Sequence, residues 1–190
     1  MLKRDENVAM SMNYAEYICK VKTEGALLVK KILVIVLFLA LFIVGTWAIC
    51  GGVIYTPPLE LIVIGVCGVG YFFASSRLKI EYEYIIASAQ VEFDIIYGAR
   101  KRKELFTISL NDVEKIAPYN SNAAKYIENK NVGKVYDFCS SKKSKRRYFM
   151  LVKKDNTNFV IYFDAVARTL DVLKFFRASI VEIDKEIYDM

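Results

Sequence analysis

Residues 32–76 form a stretch of 45 with no Lys or Arg and a single acid, Glu60. A bilayer hydrocarbon core about 30 Å thick is crossed by roughly 20 helical residues rising about 1.5 Å each. The stretch is too long for one span and fits two with a turn between them. Gly51-Gly52 and Pro57-Pro58 lie in its middle, where Gly permits a tight reversal and Pro disfavours helix continuation. The expected helices are residues 32–50 and 59–75, with Trp47 and Tyr55 at the far interface and Glu60 at headgroup level. The chain is 55% hydrophobic yet 25% charged, so its apolar excess is concentrated in this stretch, which excludes both a uniformly soluble protein and a disordered one.

Basic residues flank the hairpin and avoid its turn: Lys20, Lys22, Lys30 and Lys31 precede it, and Arg77 and Lys79 come after it. The positive-inside rule then predicts a multi-pass protein of the cell membrane with both termini cytoplasmic. A cleaved signal peptide does not fit, because its polar leader would be about 30 residues, far too long, and no small-x-small cleavage site stands out. Cys50 is preceded by Ile49, where lipoprotein processing would want a small residue. Gly65, Gly68 and Gly70 give the second helix a small-residue face suited to close helix packing, within the hairpin or between protomers. The domain division is an N-terminal segment 1–31, the transmembrane hairpin 32–76 and a cytoplasmic domain 77–190. Within the first, residues 1–11 read as a mobile tail. Tyr14, Tyr17, Ile18 and Val21 recur at helical spacing, the pattern of a short amphipathic helix on the membrane surface or a plain extension of the first span.

After Arg77 the period changes to two. Ile80, Tyr82, Tyr84 and Ile86 alternate with Glu81, Glu83 and Ile85, as in a half-buried strand. Residues 91–97, 104–110, 113–119, 134–139, 148–154 and 158–164 read likewise. Asp155-Asn156-Thr157-Asn158 is a hairpin turn by composition. Residues 120–133 are polar and irregular, with one helical turn near 123–128. Asp164 could cap a final helix whose apolar stripe is Val166, Leu170, Leu173, Phe176, Ile180 and Ile183.

With Ile80-Glu81-Tyr82-Glu83-Tyr84, Asp94-Ile95, Arg100-Lys101-Arg102-Lys103 and Ala117-Pro118, the chain resembles a family of two-helix bacterial membrane proteins with a pleckstrin-homology-like (PH-like) domain. The likeness runs from about residue 12 to 183. That family has no established activity, so the resemblance implies a fold and assigns no functional residue. The expected fold class is an α+β membrane protein. Its transmembrane hairpin leads into a PH-like β-barrel or sandwich of about seven strands capped by a C-terminal helix.

Catalytic chemistry finds little support. There is no histidine, hence no His base for the Ser residues beside Cys139 and no His metal site. Cys19, Cys50, Cys67 and Cys139 form no C-x-x-C pair and read as isolated reduced thiols. Glu81 with Glu83, and Glu92 with Asp94, share strand faces, where carboxylates more often offset nearby Lys and Arg than hold a metal. No enzyme activity, cofactor or metal is expected. The remaining signals are two basic runs, Arg100-Lys101-Arg102-Lys103 and Lys142-Lys143-Ser144-Lys145-Arg146-Arg147. Nucleic-acid binding would want exposed aromatics among the charges, and the aromatics here sit in strand patterns.

Anionic lipid headgroups, acidic protein partners and plain solvated hairpin ends remain as readings of these runs. Up-and-down strand order returns Arg100, Lys101, Arg102 and Lys103 to the membrane surface in a turn. It leaves Lys142, Lys143, Lys145, Arg146 and Arg147 at the far end as a secondary patch. The function expected is a scaffold recognising anionic lipid or a protein partner. The alternative is an accessory subunit of a membrane complex, joined through the hairpin or by self-association. Reporter fusions test the topology: a fusion at Met190 should behave as cytoplasmic, and one within residues 51–58 as external.

Overall fold

The computed structural model describes residues 13–51, 57–154 and 157–189. The elements in order are β1 (Tyr14–Lys20), α1 (Ala26–Cys50), α2 (Pro57–Arg77), β2 (Ile80–Ala87), β3 (Gln90–Tyr97), β4 (Lys101–Ser109), β5 (Val113–Pro118), α3 (Ser121–Glu128), β6 (Val132–Asp137), β7 (Arg147–Lys154), β8 (Thr157–Asp164) and α4 (Ala167–Phe176). The strands form two four-stranded sheets, ordered β1-β2-β3-β4 and β5-β7-β8-β6. This is an open two-sheet sandwich rather than a closed barrel, with eight strands among the described residues. The residues expected to form a mobile tail, and Tyr55, lie outside the described ones.

Residues 14–20 are a strand, neither an amphipathic helix nor an extension of the first span. β1 pairs antiparallel with β2, with Tyr17 opposite Tyr84 and Lys20 opposite Glu81. The physical reason is a period-two set hidden by small residues: Ala15, Tyr17 and Cys19 point into the core, while Tyr14 and Ile18 are 41% and 43% exposed. Ala and Cys are weak hydrophobic markers, so the more conspicuous helical spacing of Tyr14, Tyr17, Ile18 and Val21 misleads. The chain divides into two compact units. One takes residues 1–22, 81–96 and 102–190; the other takes 23–80 with 97–101. The apolar hairpin is therefore an insertion between two paired strands, and the folded domain begins before it.

In the second unit, α1 and α2 are both long and apolar enough to cross a membrane. Pro57 and Pro58 open α2 instead of only breaking the chain, since a proline in the first turn sacrifices no intrahelical bond. The helices approach through glycines. A Cβ at Gly70 would lie 2.7 Å from the Phe38 ring, and one at Gly45 would lie 2.9 Å from Val63. Of the expected small-residue face only Gly70 serves this contact; Gly65 and Gly68 face open space.

In the first unit, Tyr84, Ile86, Val91, Phe93 and Ile108 of one sheet meet Ile116, Tyr148, Met150, Ile161 and Phe163 of the other. Leu170 and Leu173 of α4 close that core. A second cluster covers the opposite face of the β5-β7-β8-β6 sheet, where Ala123 and Ile127 of α3 pack on Ala117, Phe149, Leu151 and Val160. Central β7 is thus buried on both faces, which is why Phe149-Met150-Leu151-Val152 shows no alternation. β6 joins β8 in parallel, a crossover made possible by α3 and its flanking loops. The β7–β8 turn expected at Asp155-Asn156-Thr157-Asn158 falls partly outside the described residues, and Lys154 pairs with Thr157 across it.

The last helix is shorter than expected. Thr169 reaches back to cap α4, accepting from the Val166 N–H at 3.1 Å and donating to the Val166 carbonyl at 2.8 Å. Asp164 is not the cap; it ends β8 and is buried. Ile180 and Ile183 lie beyond the helix, which stops at Phe176. Val181 there forms a parallel bridge with Ile116.

The insertion predicts how the domain can be isolated. Replacing residues 23–78 by a short Gly-rich turn should give a soluble, β-rich domain by circular dichroism. A fragment comprising 77–190 alone lacks β1, uncovers Tyr84 and Ile86, and should aggregate.

Candidate functional site: the basic runs and their carboxylates

Only Arg100 of the first basic run lies in a turn. The reversal between β3 and β4 is made by Gly98 and Ala99, with φ of 61° and 55°, and is closed by the Arg100 N–H donating to the Tyr97 carbonyl at 3.2 Å. Two positive-φ residues match the right-handed strand twist of a tight hairpin. Lys101, Arg102 and Lys103 belong to β4. The reversal therefore ends at Arg100, the first residue of the basic run, instead of spanning all four of its residues.

This turn is fastened to the end of α2. The Gly98 N–H donates to the Lys79 carbonyl at 2.8 Å, and a Cβ at Gly98 would stand 2.7 Å from the Ser76 carbonyl oxygen. That clearance admits only glycine. Arg100 lies over the Phe72 ring with its guanidinium carbon 5.5 Å from the centroid. Arg77, Lys79, Arg100 and Lys101 are all exposed.

Arg102 is committed elsewhere. Its guanidinium pairs with Glu83 at 2.7 Å and hydrogen-bonds Asp94 through Nε. Glu83 and Asp94, from adjacent strands β2 and β3, are only 4% and 2% exposed. Burial pushes the Glu83 carboxyl up, as does its hydrogen bond with Glu16; Arg102 opposes both. Glu16 is lowered because it accepts from the Tyr14 hydroxyl, at 2.6 Å, and from Glu83. The i,i+2 carboxylates at Glu81/Glu83 and Glu92/Asp94 are thus partly a structural counter-charge: one from each pair turns to Arg102.

The second run also divides. Lys142, Lys143 and Lys145 are exposed on the loop between β6 and β7, and Arg146 is half-buried. Arg147 is held in place: it pairs with Asp137 at 3.0 Å and covers the Tyr162 and Tyr119 rings at 4.3 and 5.3 Å. Asp164 anchors the start of this loop, accepting from the Ser140 N–H at 2.8 Å and from the Cys19 thiol at 3.2 Å. Burial drives Asp164 up, but hydrogen bonds from Ser140 and Ser144 outweigh it and hold the carboxyl below its ordinary range. Burial, helped by the Asp164 charge, pushes the Cys19 thiol up to about 12. Such a thiol is not a nucleophile at neutral pH. Among the described residues no group of three or more Cys, Asp and Glu is placed to hold a metal ion.

A two-sheet sandwich closed by a C-terminal helix, with two apolar helices inserted near its start, defines a PH-like domain on a helical hairpin. Residues 11–182 match the family model described as Bacterial PH-like domain (DUF6106), and the chain belongs to that family. No curated protein and no solved structure matches the chain significantly. Sequence reasoning missed the Arg102–Glu83–Asp94 cluster and the Arg147 stack. Both join residues from different strands, and the only signal available was the alternation of charge within each strand.

Removing Arg102 should leave two buried carboxylates without their counter-charge. Arg102→Ala is expected to cost about 2–3 kcal/mol, below the full value for a buried pair because Arg102 itself is half exposed. The sign of the pH dependence is set by Glu83. Its folded-state pKa is raised, so its protonated form stabilises at low pH and that contribution fades as pH rises through the raised value. The deficit of the variant, read by thermal unfolding, should therefore narrow from pH 8 to pH 5.

Proposed function

We propose that this protein is a non-enzymatic membrane scaffold whose two helices span the cell membrane, with both termini and the PH-like domain on the cytoplasmic side. The β3–β4 turn contacts anionic lipid headgroups and orients the module. One observation carries this reading: the turn is hydrogen-bonded to the chain just beyond α2, and Arg100 stacks on Phe72 of that helix. An Arg held at the end of a spanning helix sits where phosphates are. Arg100 and Lys101, with Arg77 and Lys79, are the headgroup contacts; Lys103 is an outer contributor and Arg102 a structural residue. Lys142, Lys143 and Lys145 face solvent, and Arg147 supports their loop.

Each basic side chain near an anionic surface contributes about 1 kcal/mol, or roughly fivefold in affinity. Native mass spectrometry of the intact protein extracted from mixed phosphatidylglycerol and phosphatidylethanolamine membranes tests the reading. Retention of the anionic lipid should fall roughly 25-fold in the Arg100→Gln, Lys101→Gln variant. It should change little when Lys142, Lys143 and Lys145 become Gln. Equal losses in both would assign the effect to net charge.

A second reading has its own observation. Gly65 and Gly68 are uncovered, and an apolar cleft of about 330 Å³ runs beside them, lined by Phe38, Phe42, Ile64, Cys67 and Tyr71. This suits an accessory subunit that receives another membrane helix or a second copy of the hairpin. Bulky residues at Gly65 and Gly68 should then disrupt a complex captured from membranes while leaving the α1–α2 contact at Gly70 intact.

A further inference from the structure

The two margins of the β5-β7-β8-β6 sheet are finished differently. At the β5 margin the C-terminal segment lies alongside: Val181 bridges Ile116, and the Glu182 N–H donates to the Ile116 carbonyl at 2.8 Å. At the β6 margin no described strand is paired. The Phe138 N–H, just past β6, donates to the Tyr162 carbonyl of β8. Backbone groups alternate sides along a strand, so Lys134 and Tyr136 also turn theirs toward β8. Val135 and Asp137 direct N–H and C=O outward, away from the sheet. Val135 is 58% exposed, an apolar side chain on an open margin.

Beside this margin lies a cleft of about 270 Å³, lined by Gly133, Lys134, Tyr136, Lys154, Asn158 and Phe159. Tyr136 and Phe159 meet edge to face at 5.9 Å. Lys134 and Lys154 are exposed and have no ion-pair partner among the described residues. Another cleft, beside α3, has its Lys115 already paired with Glu182 at 2.6 Å.

We propose that the β6 margin binds an extended acidic segment of a partner protein as an added strand. The outward groups of Val135 and Asp137 supply main-chain hydrogen bonds. Side chains on one face of the incoming strand lie beside Lys134 and Tyr136, with Lys154 across the cleft, and take carboxylates. Those on the other face lie over Val135, and take apolar residues. A strand edge with no described partner and an exposed Val invites pairing, and two lysines without an ion pair among the described residues select the sign of the partner. The inference deepens the scaffold reading, on which it rests, by naming the partner class; it does not depend on the lipid contact.

The test uses the intact protein in nanodiscs and a labelled, capped octapeptide alternating Glu and Val, with a Lys-Val octapeptide as control. Fluorescence anisotropy should show saturable binding of the Glu-Val peptide and none of the control. Val135→Pro removes an outward N–H that the β8 ladder does not use, and should weaken binding about tenfold or more. Lys134→Glu with Lys154→Glu, both at exposed positions, should abolish Glu-Val binding and admit the Lys-Val peptide. Equal binding of the two peptides, or unchanged affinity in both variants, overturns the proposal. So does loss caused instead by Arg100→Gln with Lys101→Gln. Absence of peptide binding while anionic lipid is still retained overturns this inference alone and leaves the lipid contact standing.

Discussion

The antiparallel pairing of β1 with β2 is the constraint on which the rest of the protein depends. Two strands separated by nearly sixty residues of sequence are laid side by side, with Lys20 opposite Glu81 and Tyr17 opposite Tyr84. The chain therefore leaves the sheet and re-enters it at neighbouring points. An antiparallel pair of helices satisfies that condition because its own ends return together. Without β1, the core face of β2 would lose the cover of Ala15, Tyr17 and Cys19. Cys19 also reaches Asp164, which in turn holds the Ser140 backbone. A seven-residue strand thus secures the sheet edge and the start of the basic loop together.

Charge in this domain performs two separate tasks that a count of Lys and Arg merges. Arg102 and Arg147 belong to the architecture: one offsets buried carboxylates on β2 and β3, the other bridges Asp137 and two tyrosine rings. Their planar guanidinium groups suit both duties in a way an ammonium would not. The lysines of the two runs are exposed and form no ion pair among the described residues. A long basic run beside a membrane is therefore weaker evidence for binding than it looks, since its arginines can be committed to folding. The restriction sharpens the lipid reading, because Arg100 is the one arginine of the first run seated on a helix of the hairpin unit.

The strand segments after Arg77 were legible because period-two burial imprints itself on the sequence. Residues 80–86 and 91–97 match β2 and β3 closely. Legibility failed where a residue's role depends on a distant partner. Ala15 and Cys19 are too small to announce a core face, and only β2 lying against them makes one. The helical stripe ending in Ile180 and Ile183 was real apolar patterning, but that tail folds back on β5 instead of extending the helix. The candidate site was half legible: the basic runs and a reversal close to the first of them could be read, but the division of each run into bound and free cations could not.

By itself, then, the sequence determined an apolar helical hairpin, the strand-forming character of most of the chain beyond it, and the absence of histidine chemistry. Hydrophobic run length, alternation and composition are local quantities, and they act over distances that a single stretch of chain contains. Only the tertiary structure decided that residues 14–20 complete the first sheet, that Arg102 and Arg147 are structural, and that no described strand pairs at the β6 margin. Each of those outcomes is a pairing, or the lack of one, between groups from different elements. Its free energy exists only once both partners are brought together and desolvated, so no single segment of the chain can encode it alone.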